Sequence, residues 1–237
     1  MNDFEKLLYK HKYKTWNWVK VCHNPNLSIE FIKSNKFIWP WNWTMISQNP
    51  SITPQIIEKY KDDPWNWKLI SKNPNITISF IRNNIEQDFD WSYISRNKNI
   101  TEHDIMNNPD LPWEWYYVSM NSNITSEIVM KNITKPWNYN YLSKISSMIP
   151  VIDLYPGKPW DWINVSLNTG LTNSFLDKYS HKPIVWCHIL SNRNIDIGLL
   201  DPKYHNFYYL SRNPSINIEF ILKHENTDWN WYWISYC

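Results

Sequence analysis

The 237-residue sequence holds only three glycines, three cysteines and no long uninterrupted apolar run. Each scarcity removes a class of protein. With Gly so rare, a phosphate-cradling loop, a dinucleotide-binding turn and a nucleophile elbow are all improbable, and none of their motifs occurs. Cys22, Cys187 and Cys237 are odd in number and far apart, which argues against a disulfide framework and predicts a reducing compartment. A membrane span needs about 20 successive apolar residues. Residues 1–9 lack the apolar core of a signal peptide. A net charge of +2 on 24 basic and 22 acidic residues gives no strong general attraction to nucleic acid or membrane. The expectation is a soluble, intracellular protein without a membrane partner.

What is abundant is Trp, with 17 residues, and it recurs with a period. A W-x-W pair, or its replacement, is followed three residues on by an aliphatic and then by Ser. The second aromatic falls at Trp18, Trp43, Trp67, Trp91, Trp115, Tyr139, Trp162, Trp186, Phe207 and Trp231. Ten copies of about 24 residues fill the chain and predict one helical-repeat domain over residues 1–237.

Residues 49–71, NPSITPQIIEKYKDDPWNWKLIS, show what one copy should form. Thr53 has the hydroxyl of a helix N-cap, and Ser28, Thr77, Thr101, Thr125, Thr172, Asp196 and Asn217 stand at the same position, with Asp3 opening the first copy. An apolar residue precedes each cap and another follows four residues later, as Ile52 and Ile57 do, which is a hydrophobic staple. The first helix is predicted from Pro54 to about Tyr60. Pro64 is expected to open a second helix over residues 64–71, part of it 3₁₀. Asn73 followed by Pro74 is expected to stop it, with Asn in the left-handed conformation. The predicted fold class is all-α, an α-solenoid (superhelix) of about ten two-helix repeats. Helices this short are marginal alone, so stacking must stabilise them.

The order N-P-x-I-T-P-x-x-I followed by D-P-W resembles the leucine-rich variant repeat, in which an α-helix alternates with a 3₁₀ helix. Asn49, Pro50, Thr53, Pro54, Ile57, Asp63 and Pro64 carry the match. The resemblance implies a right-handed superhelix and brings no catalytic residues. Trp stands where that family has smaller side chains, and the Cys cluster of its iron–sulfur module is missing. The Asn, Ile and Lys bias, with N-P-x-I-T and P-W-x-W, is also similar to Trp-rich repeat proteins of large DNA viruses of amoebae. That second resemblance implies a viral origin, with host cytoplasm or virion as the location, and no known activity.

Chemistry is sparse. His181, His188, Cys187 and Asp177 form the nearest approach to a metal or nucleophile cluster, but no zinc spacing is matched. No catalytic residue, metal or cofactor is expected. The first aromatic of the pair admits Phe89, Ile184 and His205, while the second is aromatic in all ten copies. The second therefore reads as core, and the first (Trp41, Trp65, Trp113, Trp137 and Trp160) as the one to reach a partner. A residue after each Ser is often basic or polar: His23, Gln48, Lys72, Arg96, Lys144 and Arg212.

The leading expectation is a non-enzymatic scaffold for protein–protein interaction. The alternative is a nucleic-acid-binding solenoid using the basic and aromatic ladder, including Lys72, Arg96, Lys144 and Arg212. Helix C-termini favour positive charge anyway, which explains the ladder without a ligand. The same dipole argument explains Lys59, Lys131, Lys178 and Lys223 at the ends of first helices. Finally Trp229, Trp231, Trp233 and Tyr236 predict pairing with a second copy of the chain or with another protein. The seventh copy, which carries Gly157, and the short ninth copy are the irregular ones.

Overall fold

The structure, a computed structural model, describes residues 1–236, and Cys237 lies outside them. The described residues form nineteen short α-helices and three 3₁₀ turns, and no strand. They fall into two compact units, Met1–Ile124 and Thr125–Cys237.

In the first unit each copy contributes two helices: Asp3–Lys10 and Trp18–Cys22, Ile29–Ser34 and Trp43–Ser47, Pro54–Lys59 and Trp67–Ile70, Ile78–Asn83 and Trp91–Ser95, Glu102–Asn107 and Trp115–Val118. The second unit repeats the plan with Ser126–Lys131 and Tyr139–Leu142, Ile149–Leu154 and Trp162–Ser166, Asn173–Tyr179 and Trp186–Leu190, and Ile218–Lys223 and Trp231–Ile234. Its ninth copy has two 3₁₀ turns, Ile197–Leu199 and Pro202–Tyr204, in place of the first helix, before Phe207–Leu210. No helix exceeds eight residues, so each depends on side-chain packing and not on its own propensity.

The first helices begin as the sequence predicts. The side-chain oxygens of Ser28, Thr53, Thr77, Thr101, Thr125, Thr172 and Asn217 each accept from the backbone N–H three residues on. In the first copy the cap is Asn2, and Asp3 is already inside the helix. The staple residues Ile52, Ile57, Ile76, Ile81, Ile100 and Ile105 are all buried.

The second helices begin later than predicted. Pro64 does not open one: the Trp65 N–H donates across it to the Asp63 carbonyl at 2.7 Å, closing a three-residue turn. Pro suits the centre of that turn because its fixed φ is close to the inverse γ-turn value. The same turn spans Pro40, Pro112, Pro136, Pro159 and Pro183. The helix starts after the middle residue of W-x-W. Asn66 caps it, accepting from Leu69 N–H, as Asn17, Asn42, Asp90, Asn138, Asp161 and Asn206 do in their copies. These second helices are α-helical, and the 3₁₀ turns lie in the irregular seventh and ninth copies instead.

Ser and Asn tie each copy to the one before. Ser71, fully buried, donates its hydroxyl to Trp67 O and accepts the N–H of Asp90 in the next copy at 2.9 Å. Ser47, Ser143 and Ser211 repeat both bonds. Asn73 donates from Nδ2 to Asn49 O and Ile52 O while its Oδ1 accepts the N–H of Asn75. Asn49, Asn97 and Asn121 continue this ladder in the first unit, and Asn168, Asn192 and Asn213 form another in the second. No described residue has a positive φ, so Asn is not there for the left-handed conformation. It is there because a primary amide can donate to backbone carbonyls and accept from an N–H at once. Gly170 marks the one tight spot: a Cβ there would lie 2.5 Å from Ser146 O.

Candidate partner-binding face

The tryptophans divide in the opposite sense to the sequence expectation. Trp65, Trp113, Trp137 and Trp160, offered as outward-facing, are only 5–7% exposed, and Trp41 is half-buried. Each indole N–H is also used. Trp65 donates to Tyr60 O, Trp113 to Asn108 O, Trp137 to Asn132 O, Trp160 to Tyr155 O and Trp41 to Asn35 O, at 2.8–3.2 Å. Those acceptors are the C-cap residues of the first helices, whose carbonyls also take a backbone N–H three residues on, so the indole fills their second acceptor site and ties the turn to the helix end. The second aromatics Trp43, Trp67, Trp91 and Trp162 are half-buried, and each of the first three meets the following copy's first aromatic edge to face, as Trp91 meets Trp113 at 5.4 Å and 90°. In the second unit Tyr139 meets Trp160, and Phe207 meets Trp229, in the same way. In the short ninth copy Tyr204 takes over, stacked on Trp186 at 3.8 Å and 11°.

What remains outward on the second helices is the pair of residues after the second aromatic, together with the basic ladder. In the first unit the half-buried rings of Tyr93 and Tyr117 lie next to the exposed cations Lys72 and Arg96. Lys72 Nζ sits 4.1 Å from the centre of the Tyr93 ring, and the Arg96 guanidinium lies 4.4 Å from Tyr93 and 5.5 Å from Tyr117. Tyr116, 53% exposed, stands edge to face against Tyr117. In the second unit Lys144 is exposed, and Arg212 lies 4.8 Å over Trp233. The ladder is legible in the sequence as a basic position; its tyrosine partners, 21 residues further along, carry no such signal because the position varies from Met45 and Leu69 to Tyr93 and Tyr117.

Of Lys59, Lys131, Lys178 and Lys223, at the ends of first helices, three are ion-paired. Lys59 pairs with Glu30, Lys131 with Glu127 and Lys178 with Asp153. Lys33 grips both oxygens of Asp63 from the next copy, and Arg82 forks onto Asp110. The Lys178 ammonium and the Tyr179 hydroxyl hold the Asp153 carboxyl below its usual range, and Arg82 does the same to Asp110. Apart from Lys131–Glu127, which lies within one helix, these pairs join neighbouring copies, and the exposed ones contribute little stability each.

The residues offered for self-association are mixed. Trp229 is buried, with its indole N–H on His224 O, whereas Trp231, Trp233 and Tyr236 are exposed. Burial pushes the Cys22 thiol up; it stands where later copies have Ser and accepts from Asn42 N–H through sulfur. No group of three metal-ligating side chains occurs among the described residues, and no helix is long and apolar enough to cross a membrane. His181 is exposed, while Cys187 and His188 line a cleft of the second unit. Comparison with family models, with curated proteins and with solved structures gives no match.

Proposed function

We propose that the chain is a non-enzymatic scaffold, with its copies stacked in each unit as an α-solenoid, and that it binds a protein partner through the second-helix face of the first unit. The observation that carries this reading is the stripe of Tyr93, Tyr116 and Tyr117 interleaved with Lys72 and Arg96. Tyr and Arg are the residue types enriched where protein interfaces concentrate their energy, because large rigid rings bury area at small entropic cost. The regular copies behind the stripe hold these rings on helices pinned by Ser and Asn bonds, so little ordering is left to binding. The partner is a protein segment that offers carboxylates to Lys72 and Arg96 and apolar side chains to Tyr116.

The once-per-copy spacing of Lys72 and Arg96, 24 residues apart, favours a second reading in which the stripe follows a nucleic-acid backbone. It ranks lower because both cations already stack on tyrosine rings and the net charge is +2. Capture from native lysate with the intact chain and with the Arg96→Ala/Tyr116→Ala variant tests the first reading. A protein retained by the former and lost by the latter supports it. An oligonucleotide that binds with a steep loss in salt, and that Arg96→Ala weakens, transfers the face to nucleic acid.

A further inference from the structure

We propose that the second unit holds a binding site for a small organic phosphate monoester, independent of the first-unit face. The site is a surface cleft of about 540 Å³ whose lining includes Arg193, Arg212, His188, Thr169, Tyr209 and Leu167. Small-molecule sites commonly measure about 300–1,000 Å³.

Charge argues for an anion. Two guanidinium groups and an imidazole line the cleft, and no carboxylate does. Neither Arg193 nor Arg212 has an ion-pair partner among the described residues, and the guanidinium carbon of Arg212 lies 4.8 Å from the centre of the Trp233 ring. A stacked guanidinium keeps its in-plane N–H groups for a second partner. Such forks match phosphate oxygens two at a time, and two of them at one spot suit a dianion. Nδ1 of His188 is buried without a hydrogen-bond partner, a state shared among the described residues only by Nε2 of His205, and a polar ligand in the cleft would account for it at His188.

The backbone under the two arginines is fixed. Arg193 follows Asn192 and Arg212 precedes Asn213, and Asn213 Nδ2 donates to Asn192 O at 3.1 Å and to Leu190 O at 2.9 Å. Ser215 Oγ donates to Arg193 O at 2.7 Å. The pair is therefore sprung from two loops of neighbouring copies that are bonded to each other, and the ligand does not have to bring them together. Arg193 occupies the position after the ladder Asn, where earlier copies carry Pro25, Pro50 and Pro74. Leu167, Tyr209 and Pro214 give the cleft an apolar side, which bare phosphate would leave uncovered. The ligand is thus a phosphate monoester with an organic body, the phosphate on Arg193 and Arg212 and the body against Leu167 and Tyr209. A polynucleotide would need cations spread along a groove, and here both line one cleft.

Cys187 lines the same cleft and is partly exposed, whereas Cys22 is buried, so alkylation reports occupancy in a Cys237→Ser background. The probes are adenosine 5′-monophosphate, phenyl phosphate, adenosine and inorganic phosphate, with titration calorimetry on the two esters. The expected result is that both esters slow alkylation of Cys187, adenosine does not, and inorganic phosphate protects only at much higher concentration. Arg193→Gln should weaken ester binding by about tenfold or more, as expected for loss of a charge-assisted bond. Lys72→Gln should leave it unchanged. No protection by either ester, equal protection by adenosine or by inorganic phosphate, or unaltered binding in Arg193→Gln overturns the proposal. Arg193 is exposed, so its replacement leaves the fold intact, and an unchanged far-ultraviolet circular dichroism spectrum checks this. Loss of the first-unit partner would leave this result standing.

Discussion

The indole of Trp65 stands at 88° to that of Trp43, centroids 5.1 Å apart, and donates its N–H to Tyr60 O at 2.8 Å. One side chain thus packs on the preceding copy and closes the end of its own first helix. Trp65→Ala should remove both and cost about 3–5 kcal/mol. Trp67→Ala should cost less, because that ring is only half-buried and no hydrogen bond ties its N–H to a helix end. Trp65→Phe separates the two contributions, keeping a ring but removing the indole bond to Tyr60 O, which retains the Asp63 N–H, for about 1 kcal/mol. Urea midpoints of the three variants measure the order, and a larger loss for Trp67→Ala contradicts it.

Asn73 supplies three bonds through one short primary amide. Asn73→Ala would remove one of the two donors to Asn49 O and to Ile52 O, which keep Ile52 N–H and Asn75 Nδ2, and would take the acceptor from Asn75 N–H, at roughly 0.5–1.5 kcal/mol for each lost bond. Asn73→Asp should be worse, since a carboxylate would face two carbonyls. Asn24, whose Nδ2 has no carbonyl partner among the described residues, is the control, and Asn24→Ala should cost far less. Equal losses at the two sites would show that the ladder adds nothing to stability.

Cys22 occupies the Ser position of the first copy, where its sulfur receives the Asn42 N–H at 3.4 Å. Placing Ser in an apolar site usually destabilises, but here the counterparts Ser47 and Ser71 are fully buried and accept the corresponding N–H at 2.9 Å. Cys22→Ser should therefore be neutral or stabilising, while Ser71→Ala should lose about 1–3 kcal/mol by stranding Asp90 N–H. Thermal midpoints of both variants decide this, and a marked loss in Cys22→Ser would refute the equivalence.

The period and the first helix were legible because caps and staples are local: Thr53 needs only the N–H three residues away, and Ile52 and Ile57 need only one face. The roles of Ser and Asn and the ring packing of Trp were not, because those partners lie about a copy apart and nothing in a single copy names them. Variation misled about Trp65. Its position admits Phe89 and His205, which suggested exposure, yet Phe89 is as buried as Trp65. The N-cap role of Asn66 was available in the W-N-W spacing itself and was overlooked because Pro64 looked like a helix opening. The clustering of Arg193 with Arg212 escaped a ladder read at a fixed offset from Ser, because Arg193 sits one residue past Asn instead of one before it.

Glu5 gives the fold a dependence on pH. Its carboxylate is buried, with Oε1 accepting from Ser28 N–H at 3.0 Å and from Ser28 Oγ at 2.6 Å, and Oε2 accepting from Asn2 N–H at 2.9 Å. Burial alone would raise its pKa, but the Ser28 hydroxyl and the two backbone N–H groups outweigh it and hold it below the ordinary 4.5. A carboxyl whose folded pKa is depressed stabilises the fold fully above its unfolded pKa and loses that contribution as pH falls through the folded value. The Ser28 cap and the first helix should accordingly loosen as pH drops below about 4.5. Glu5→Gln should be less stable than the parent at pH 7, because the amide turns a donor toward N–H groups that need an acceptor. The gap between the two should narrow steadily as acid protonates Glu5 in the parent. Guanidinium unfolding of both proteins at pH 7, 5, 4 and 3 measures the gap, and a gap that stays constant across that range would sink the assignment.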